Sequence, residues 1–181
     1  MGSDAVNWCK NINPCKSGIV EGIRADQSGA EENKAFRATV GKHSNIKIVA
    51  IAAGGYLAAP ALTATQNVLS AHPDINVIVS SGDQMIAGAV KAAQAAGLAG
   101  KIKMYGNGCT FEAKVLIQHG KQTGCTVYLP RTEGRLVVQA LVDAVNGKGK
   151  SGVSIDPTPR SPIGGLGTKA NIGKFTPEFH S

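Results

Sequence analysis

The stretch VIVSSGDQMIAGAV, residues 77–90, places an apolar, β-branched run directly before a longer alanine-rich segment. The run has the length and composition of a buried strand, and the segment that begins at Asp83 has the length of a helix. Two serines and a glycine lie at the junction, which indicates a turn. The stretch therefore predicts a strand–turn–helix unit with a single carboxylate at the turn.

The same strand-then-helix order recurs along most of the chain. Strands are predicted at 18–23, 46–53, 75–81, 101–107 and 125–130, and helices at 28–43, 57–72, 83–97, 110–120 and 132–147. Strands that are apolar on both faces need helices on both sides of their sheet. The order predicts an α/β fold with a doubly wound parallel sheet, which is a three-layer α/β/α sandwich.

Length and composition indicate a globular domain. The chain has 181 residues, of which 43% are hydrophobic and 17% are charged, and this is enough for a normal core. We expect residues 1–150 to form a single α/β ligand-binding lobe. Residues 151–181 are rich in Gly, Pro and Lys, and we expect them to pack on that lobe or to extend from it.

The formal net charge is +7, and the excess is uneven. The segment 147–177 holds five basic residues and one acidic residue, Asp156. A nucleic-acid site usually interleaves basic and aromatic side chains, but the whole chain has only one Trp, three Tyr and four Phe. We predict a solvated basic tail and no nucleic-acid partner.

Four cysteines allow two local disulfides. Cys9 and Cys15 flank the turn-forming stretch NINP, Cys109 follows one predicted strand and Cys125 begins the next. Two disulfides formed in an oxidising compartment are the preferred interpretation. The alternative is four reduced thiols that behave as small hydrophobic residues.

Polar side chains follow the predicted strands. Ligands of parallel α/β sheets bind beyond the carboxyl ends of the strands, and glycines at these positions allow a close approach. The candidate ligand-binding residues there are Arg24, Asp26, Tyr56, Asp83, Gln84 and Asn107. They suit directional hydrogen bonding to a small polar molecule, with Tyr56 as a stacking surface.

Each candidate also has a purely structural interpretation. Asp83 could cap its own helix, and this role is compatible with ligand binding. Arg24 and Asp26 could be exposed turn residues. Asn107, between two glycines, could supply a left-handed turn, and Tyr56 could cover the adjacent helix.

Motifs for catalysis, cofactors and metals are missing from the sequence. It has no GxSxG elbow, and GKGKS (147–151) follows a helix and not the strand that a phosphate loop requires. It also has no CxxC pair and no histidine pair at ligand spacing. We therefore predict no enzymatic activity, no cofactor and no metal site.

Three segments together resemble one protein family: HPDINVIVSSGDQMIAGAVKAAQAAG (72–97), KIKMYGNG (101–108) and TVYLPRTEGRLVVQALVDAVNGK (126–148). They are similar to the type I periplasmic solute-binding proteins of ABC transporters, in the sugar-binding branch related to the ribose-binding proteins. The resemblance covers the C-terminal lobe only. It implies a missing N-terminal lobe, a membrane permease as partner, a sugar or polyol ligand, and a periplasmic or extracellular location.

The resemblance also implies roles for individual residues. Asp83 would cap its helix and accept hydrogen bonds from ligand hydroxyls, and Tyr56 would be the polar or aromatic residue after the second strand. Asn107 takes the place of an aspartate that is frequent in the family. Glu32 takes the place of a frequent arginine, and Tyr128 lies near the place of a glutamine.

Two other classes of protein remain as alternatives. One is the effector-binding domain of a lac-repressor-type regulator, which shares the fold. The other is a flavodoxin-like or Rossmann-like enzyme, against which the missing phosphate loops argue. We also expect a lone lobe to form homodimers through its exposed cleft face.

Overall fold

The strand before Asp83 lies in the middle of a six-stranded sheet in a computed structural model that describes residues 1–23, 25–149, 152 and 154–181. The strands are β1 Cys15–Glu21, β2 Ile46–Ala53, β3 Val77–Ser80, β4 Lys103–Gly108, β5 Gly124–Val127 and β6 Leu166–Thr168. Their order is β2-β1-β3-β4-β5-β6. The first five strands run parallel and β6 runs antiparallel to β5.

Helices lie on both faces of the sheet. They are α1 Gly2–Cys9, α2 Gln27–Val40, α3 Ala58–Ala71, α4 Asp83–Ala95, α5 Phe111–Gln118 and α6 Pro130–Val145, with 3-10 turns at Thr158–Arg160 and Ile172–Lys174. The predicted α/β class and the five predicted strand–helix pairs are confirmed. Helix α1 and strand β6, which are eight and three residues long, were not predicted.

Alternate residues of the strands divide the core into two faces, as a pleated strand requires. Val20, Ile78 and Met104 pack with α3 and α4 on one face. Ile19 and Tyr105 pack with α1 and α2 on the other face. The helices therefore cover both sides of the central strands, which explains why those strands read as unbroken apolar runs.

Both predicted disulfides are present, Cys9–Cys15 and Cys109–Cys125. The first joins the end of α1 to the start of β1. The second joins the end of β4 to β5, and its cysteines are fully buried in a third core cluster. The two bridges fix the ends of the sheet where the shortest elements have little core of their own.

The C-terminal segment is part of the same sheet. Strand β6 pairs with β5, and Ile172 and Phe175 are buried against the Cys109–Cys125 bridge. The segment thus packs on the lobe. The position of a boundary near residue 150 stays a prediction.

Helix α6 is amphipathic, but none of its residues is buried. Its apolar side chains remain 44–88% exposed at Val137, Val138, Leu141, Val142 and Val145. A helix of this length is marginal in water unless its apolar face is covered. Among the described residues, no helix combines the length and the hydropathy that crossing a membrane requires.

Replacing Cys109 and Cys125 by serine should lower the free energy of unfolding by about 3 kcal/mol, because the bridge closes a loop of 16 residues in the unfolded chain. Urea unfolding without reductant measures the loss. The matched Cys9/Cys15 double serine variant, which opens a loop of 6 residues, should lose less, about 2 kcal/mol. Equal stability of the Cys109/Cys125 variant and the wild type would contradict the prediction.

Candidate functional site

The carboxyl ends of β1, β2 and β3 bring Asp26 and Tyr56 together. Asp26 caps helix α2 by accepting hydrogen bonds from the backbone N–H groups of Ser28 at 3.1 Å and Gly29 at 3.0 Å. Asp26 also accepts a hydrogen bond from the hydroxyl of Tyr56. This bond has the largest lowering effect on the pKa of the Asp26 carboxyl, and the bonds from the helix N–H groups lower the pKa further. Asp26 is thus held as an ionised group at the rim of the sheet.

Three glycines make room for the Tyr56 ring. A Cβ atom at Gly22 would lie 2.2 Å from the ring, and one at Gly29 would lie 2.6 Å from its hydroxyl. At Gly82 the nearest ring atom would be 3.1 Å away. Tyr56 itself has a φ of 59°, a left-handed conformation that is rare for a residue with a bulky side chain. The ring is therefore packed closely against the backbone after β1, at the start of α2 and after β3.

A second group at the same edge contains Glu32, Asn107 and Thr126. The register of the parallel strands places Asn107 on β4 beside Thr126 on β5, and the Thr126 hydroxyl donates to Asn107 Oδ1 at 2.5 Å. Asn107 Nδ2 in turn donates to Glu32 Oε1 on α2. The three side chains form one continuous chain of hydrogen bonds across the rim.

One oxygen of Glu32 has no partner. Oε2 is buried and lacks a hydrogen-bond donor among the described residues. Burial, and then the negative charge of Asp26, raise the pKa of the Glu32 carboxyl to about 7. An unpartnered buried acceptor costs about 1–3 kcal/mol.

A cavity of about 310 Å³ opens beside this group. Glu32, Thr39, Asn107 and Thr126 supply its polar side chains, and Met1 and Phe36 are part of its wall. Its volume is at the lower end of the range for small-molecule sites. Among the described residues no group of acidic, histidine and cysteine side chains could hold a metal ion.

Asp83 lies beneath the rim and not on it. Its exposure is 1%, and its carboxylate accepts hydrogen bonds from Thr110 N at 3.1 Å and Gln122 Nε2 at 3.0 Å. The predicted helix cap is wrong, because Gly82 precedes the helix and no side chain caps it. Both oxygens of Asp83 accept hydrogen bonds inside the protein, and its predicted ligand contact stays a prediction.

Burial raises the pKa of the Asp83 carboxyl to about 6, although the Thr110 N–H group and the Gln122 amide favour its ionised form. A Cβ at Gly106 would lie 2.1 Å from Asp83 Oδ1, and one at Gly108 would lie 3.0 Å from Oδ2. Asp83 therefore supports the backbone on both sides of Asn107.

Two further candidates remain to be placed. Gln84 is half-buried. A Cβ atom at Gly82 would meet both Gln84 Oε1 and the Tyr56 ring. Arg24 lies outside the described residues.

The last residues of the chain cross the ends of β4 and β5. Glu178 caps helix α6 by accepting hydrogen bonds from Arg131 N at 2.8 Å and Thr132 N at 2.9 Å. Phe179 contacts the edge of Tyr128, and its carbonyl accepts a hydrogen bond from Phe111 N. Tyr128, where the resemblance points to a family glutamine, is 46% exposed and is partly covered by this tail.

Sequence reasoning missed Thr126, Gln122 and Glu178. Thr126 lies on a predicted strand, but only the register with β4 shows that it faces Asn107. Gln122 and Glu178 lie in connecting segments, where the sequence carries no signal of what they contact.

Residues 1–149 match the protein family described as periplasmic binding protein domain. The match covers most of the chain, so the chain belongs to this family, as the resemblance implied. The curated D-allose-binding periplasmic protein of Escherichia coli is 30% identical over 126 residues, which are 70% of this chain and 40% of that protein.

Solved structures show the same architecture. An ABC transporter periplasmic solute-binding protein from Actinobacillus succinogenes with bound D-allose superposes with a TM-score of 0.83 at 26% identity, over 96% of this chain and 59% of that one. A solute-binding protein from Mycobacterium smegmatis with bound glycerol gives a TM-score of 0.80 at 25% identity, over 99% and 61%. These proteins bind solutes for transport and are not enzymes. This chain spans less than two thirds of the length of each.

The stability of the protein should depend on the ionisation of Asp83. Its pKa of about 6 in the folded state is above the ordinary value near 4, so its contribution is fully present below pH 4 and is lost as the pH rises through 6. Between these limits the free energy of unfolding should fall by about 2–3 kcal/mol relative to Asp83→Asn. Urea titrations from pH 4 to pH 7 measure the difference.

Asp143→Asn on the solvent-exposed helix α6 is the matched control and should keep the slope of the wild type. Identical pH dependence of the wild type and Asp83→Asn would contradict the prediction.

Proposed function

We propose that this chain is the C-terminal lobe of the solute-binding component of an ABC transport system. In this proposal it binds a small polar ligand, a sugar or a polyol, at the carboxyl ends of its strands. The observation that carries the proposal is the hydrogen-bonded chain Glu32–Asn107–Thr126 beside an open cavity. Such directional polar groups on a rigid sheet edge suit a ligand that is rich in hydroxyl groups.

The relatives support a polyhydroxylated ligand. The Escherichia coli relative binds D-allose, and the two structures hold D-allose and glycerol. In this chain we assign ligand contact to Asn107, Glu32, Tyr56, Asp26 and Gln84. Asp83 acts below them as a support for the backbone of Asn107.

A second lobe is part of the proposal. This chain covers 40% of its curated relative, and the apolar face of α6 is left exposed by the described residues. A second α/β lobe placed against α6 would bury that face and close over the rim. We infer that the missing N-terminal lobe occupies this position.

The periplasm or the extracellular space is the proposed location. The relative is a periplasmic protein, and two disulfides fit an oxidising compartment. A membrane permease would be the partner of the complete protein.

Binding should be detectable on the 181-residue chain by ¹⁵N NMR titration with D-allose, D-ribose, glycerol and a panel of hexoses. A lone lobe supplies part of the contacts, so we expect dissociation constants on the order of 1 mM. Asn107→Ala should weaken binding roughly tenfold, because it removes two hydrogen-bonding atoms at the rim. Asn146→Ala, at the exposed end of α6, is the control. A panel in which no compound shifts the rim resonances would refute the proposal.

The lone chain should also self-associate through α6, and not through the cleft face that we expected from the sequence. Sedimentation velocity should show a concentration-dependent dimer that Leu141→Glu disrupts, because the substitution places a charge in the apolar face. Val115→Glu, on the exposed side of α5 at 49% exposure, should leave the dimer intact. A wild-type chain that stays monomeric at millimolar concentration would contradict the prediction.

A further inference from the structure

The side chain of Asn107 projects from a part of β4 whose backbone is held by the residues beneath it. A Cβ atom at Gly106 or at Gly108 would meet the Asp83 carboxylate. The Asn107 side chain lies on the other side of the strand, because successive side chains alternate between the two faces. There Asn107 is half-buried and lines the cavity at the rim. The orientation of its amide group therefore depends on side chains from neighbouring elements.

One neighbouring strand reaches Asn107 in the described part of the chain. Strand β3 pairs with β4 as far as Val79 and Tyr105. Strand β5 pairs with the last four residues of the β4 ladder, and its register places Thr126 beside Asn107. The Thr126 hydroxyl donates a hydrogen bond to Asn107 Oδ1 at 2.5 Å. Thr126 is thus the lateral neighbour of Asn107 in the sheet and is bonded to its amide.

The amide of Asn107 is held at both ends. An asparagine amide offers two N–H donors and two oxygen lone pairs. The bond from Thr126 occupies one lone pair, and the bond to Glu32 Oε1 occupies one N–H group. No other described residue is hydrogen-bonded to this amide. One donor and one acceptor therefore remain for a ligand, and the two bonds fix their directions.

A donor and an acceptor on one amide match two adjacent hydroxyl groups. Each hydroxyl group can donate and accept, so one hydroxyl can accept from Asn107 Nδ2 while the next donates to Asn107 Oδ1. A carboxylate only accepts and an ammonium group only donates. Neither of these charged groups satisfies both positions, whereas a pair of neutral hydroxyl groups does.

We propose that Thr126 is a positioning residue that makes this site selective for a pair of adjacent hydroxyl groups. Thr126 acts through Asn107, because its hydroxyl fixes the plane of the amide and leaves a single lone pair for the ligand. This inference rests on the proposed function, since it concerns how the same site selects its ligand. Without the Thr126 hydroxyl, the amide is held at one end only and both of its lone pairs are open to other donors.

Matched compounds measure this selectivity on the 181-residue chain by ¹⁵N NMR titration. The pairs are D-ribose with 2-deoxy-D-ribose, D-allose with 3-deoxy-D-allose, and glycerol with 1,3-propanediol. Each second compound lacks a hydroxyl group that its parent carries next to another. We expect at least one parent to bind about three- to tenfold more tightly than its partner, which is the ratio that a lost hydrogen bond gives.

Thr126→Val keeps a side chain of similar size without the hydroxyl, so it should bring this ratio close to unity. Thr126→Ser retains the hydroxyl and should retain the ratio. In an Asn107→Ala background, Thr126→Val should change neither the affinity nor the ratio further, because Thr126 acts through Asn107. Thr63→Val, on the exposed side of α3, is the control and should behave like the wild type.

The outcomes separate this inference from the proposed function. Equal binding of every parent and its partner by the wild type overturns the inference and leaves the sugar-binding proposal standing. A wild-type ratio in Thr126→Val, or a further loss when it is combined with Asn107→Ala, also overturns it. Absence of binding by every compound overturns both. The comparison on the wild type can refute the inference even if Thr126→Val fails to fold.

Discussion

The buried carboxylate of Asp83 is the interaction on which the geometry of the rim depends. It lies in the first turn of α4 and accepts hydrogen bonds from Thr110 at the start of α5 and Gln122 before β5. Only glycine fits at positions 106 and 108 above it. Because the carboxylate joins three elements around one point, the backbone that carries Asn107 has little freedom to move. Asp83 therefore fixes the position of the polar surface of the cleft from beneath that surface.

The rim itself consists of two preformed groups that are linked by charge. Tyr56 and Asp26 form one group, and Glu32, Asn107 and Thr126 form the other. Asp26 is kept ionised by its hydrogen bonds, and its charge hinders the ionisation of Glu32. The site thus holds one ionised carboxylate, Asp26, and one carboxyl group, Glu32, whose pKa is raised first by burial and then by the charge of Asp26. This asymmetry follows from the position of each residue on α2, one at its cap and the other in its second turn.

The sequence predicted the fold and the edge of the sheet at which the site lies, but not how deeply each site residue is buried. Apolar runs and helix lengths identify a parallel α/β sheet, and the sheet brings Tyr56 and Asn107 to one edge. Asp83 was expected to cap its helix and to contact the ligand, whereas its carboxylate is buried next to Gly106 and Gly108. Thr126 and Glu178 depend on strand register and on a distant tail, and local sequence patterns carry neither. The exposure of α6 likewise appears only in three dimensions.

The tail from Glu178 to Ser181 contacts both the start of α6 and the end of β4. Glu178 accepts hydrogen bonds from the first turn of α6. The ring of Phe179 lies against Gly108, which is next to Asn107 in the chain. A rotation of α6 would therefore stretch these hydrogen bonds or shift Phe179 relative to the end of β4. The tail is therefore a direct link between the first turn of α6 and the end of β4, formed by side chains and separate from the hydrogen bonds of the sheet.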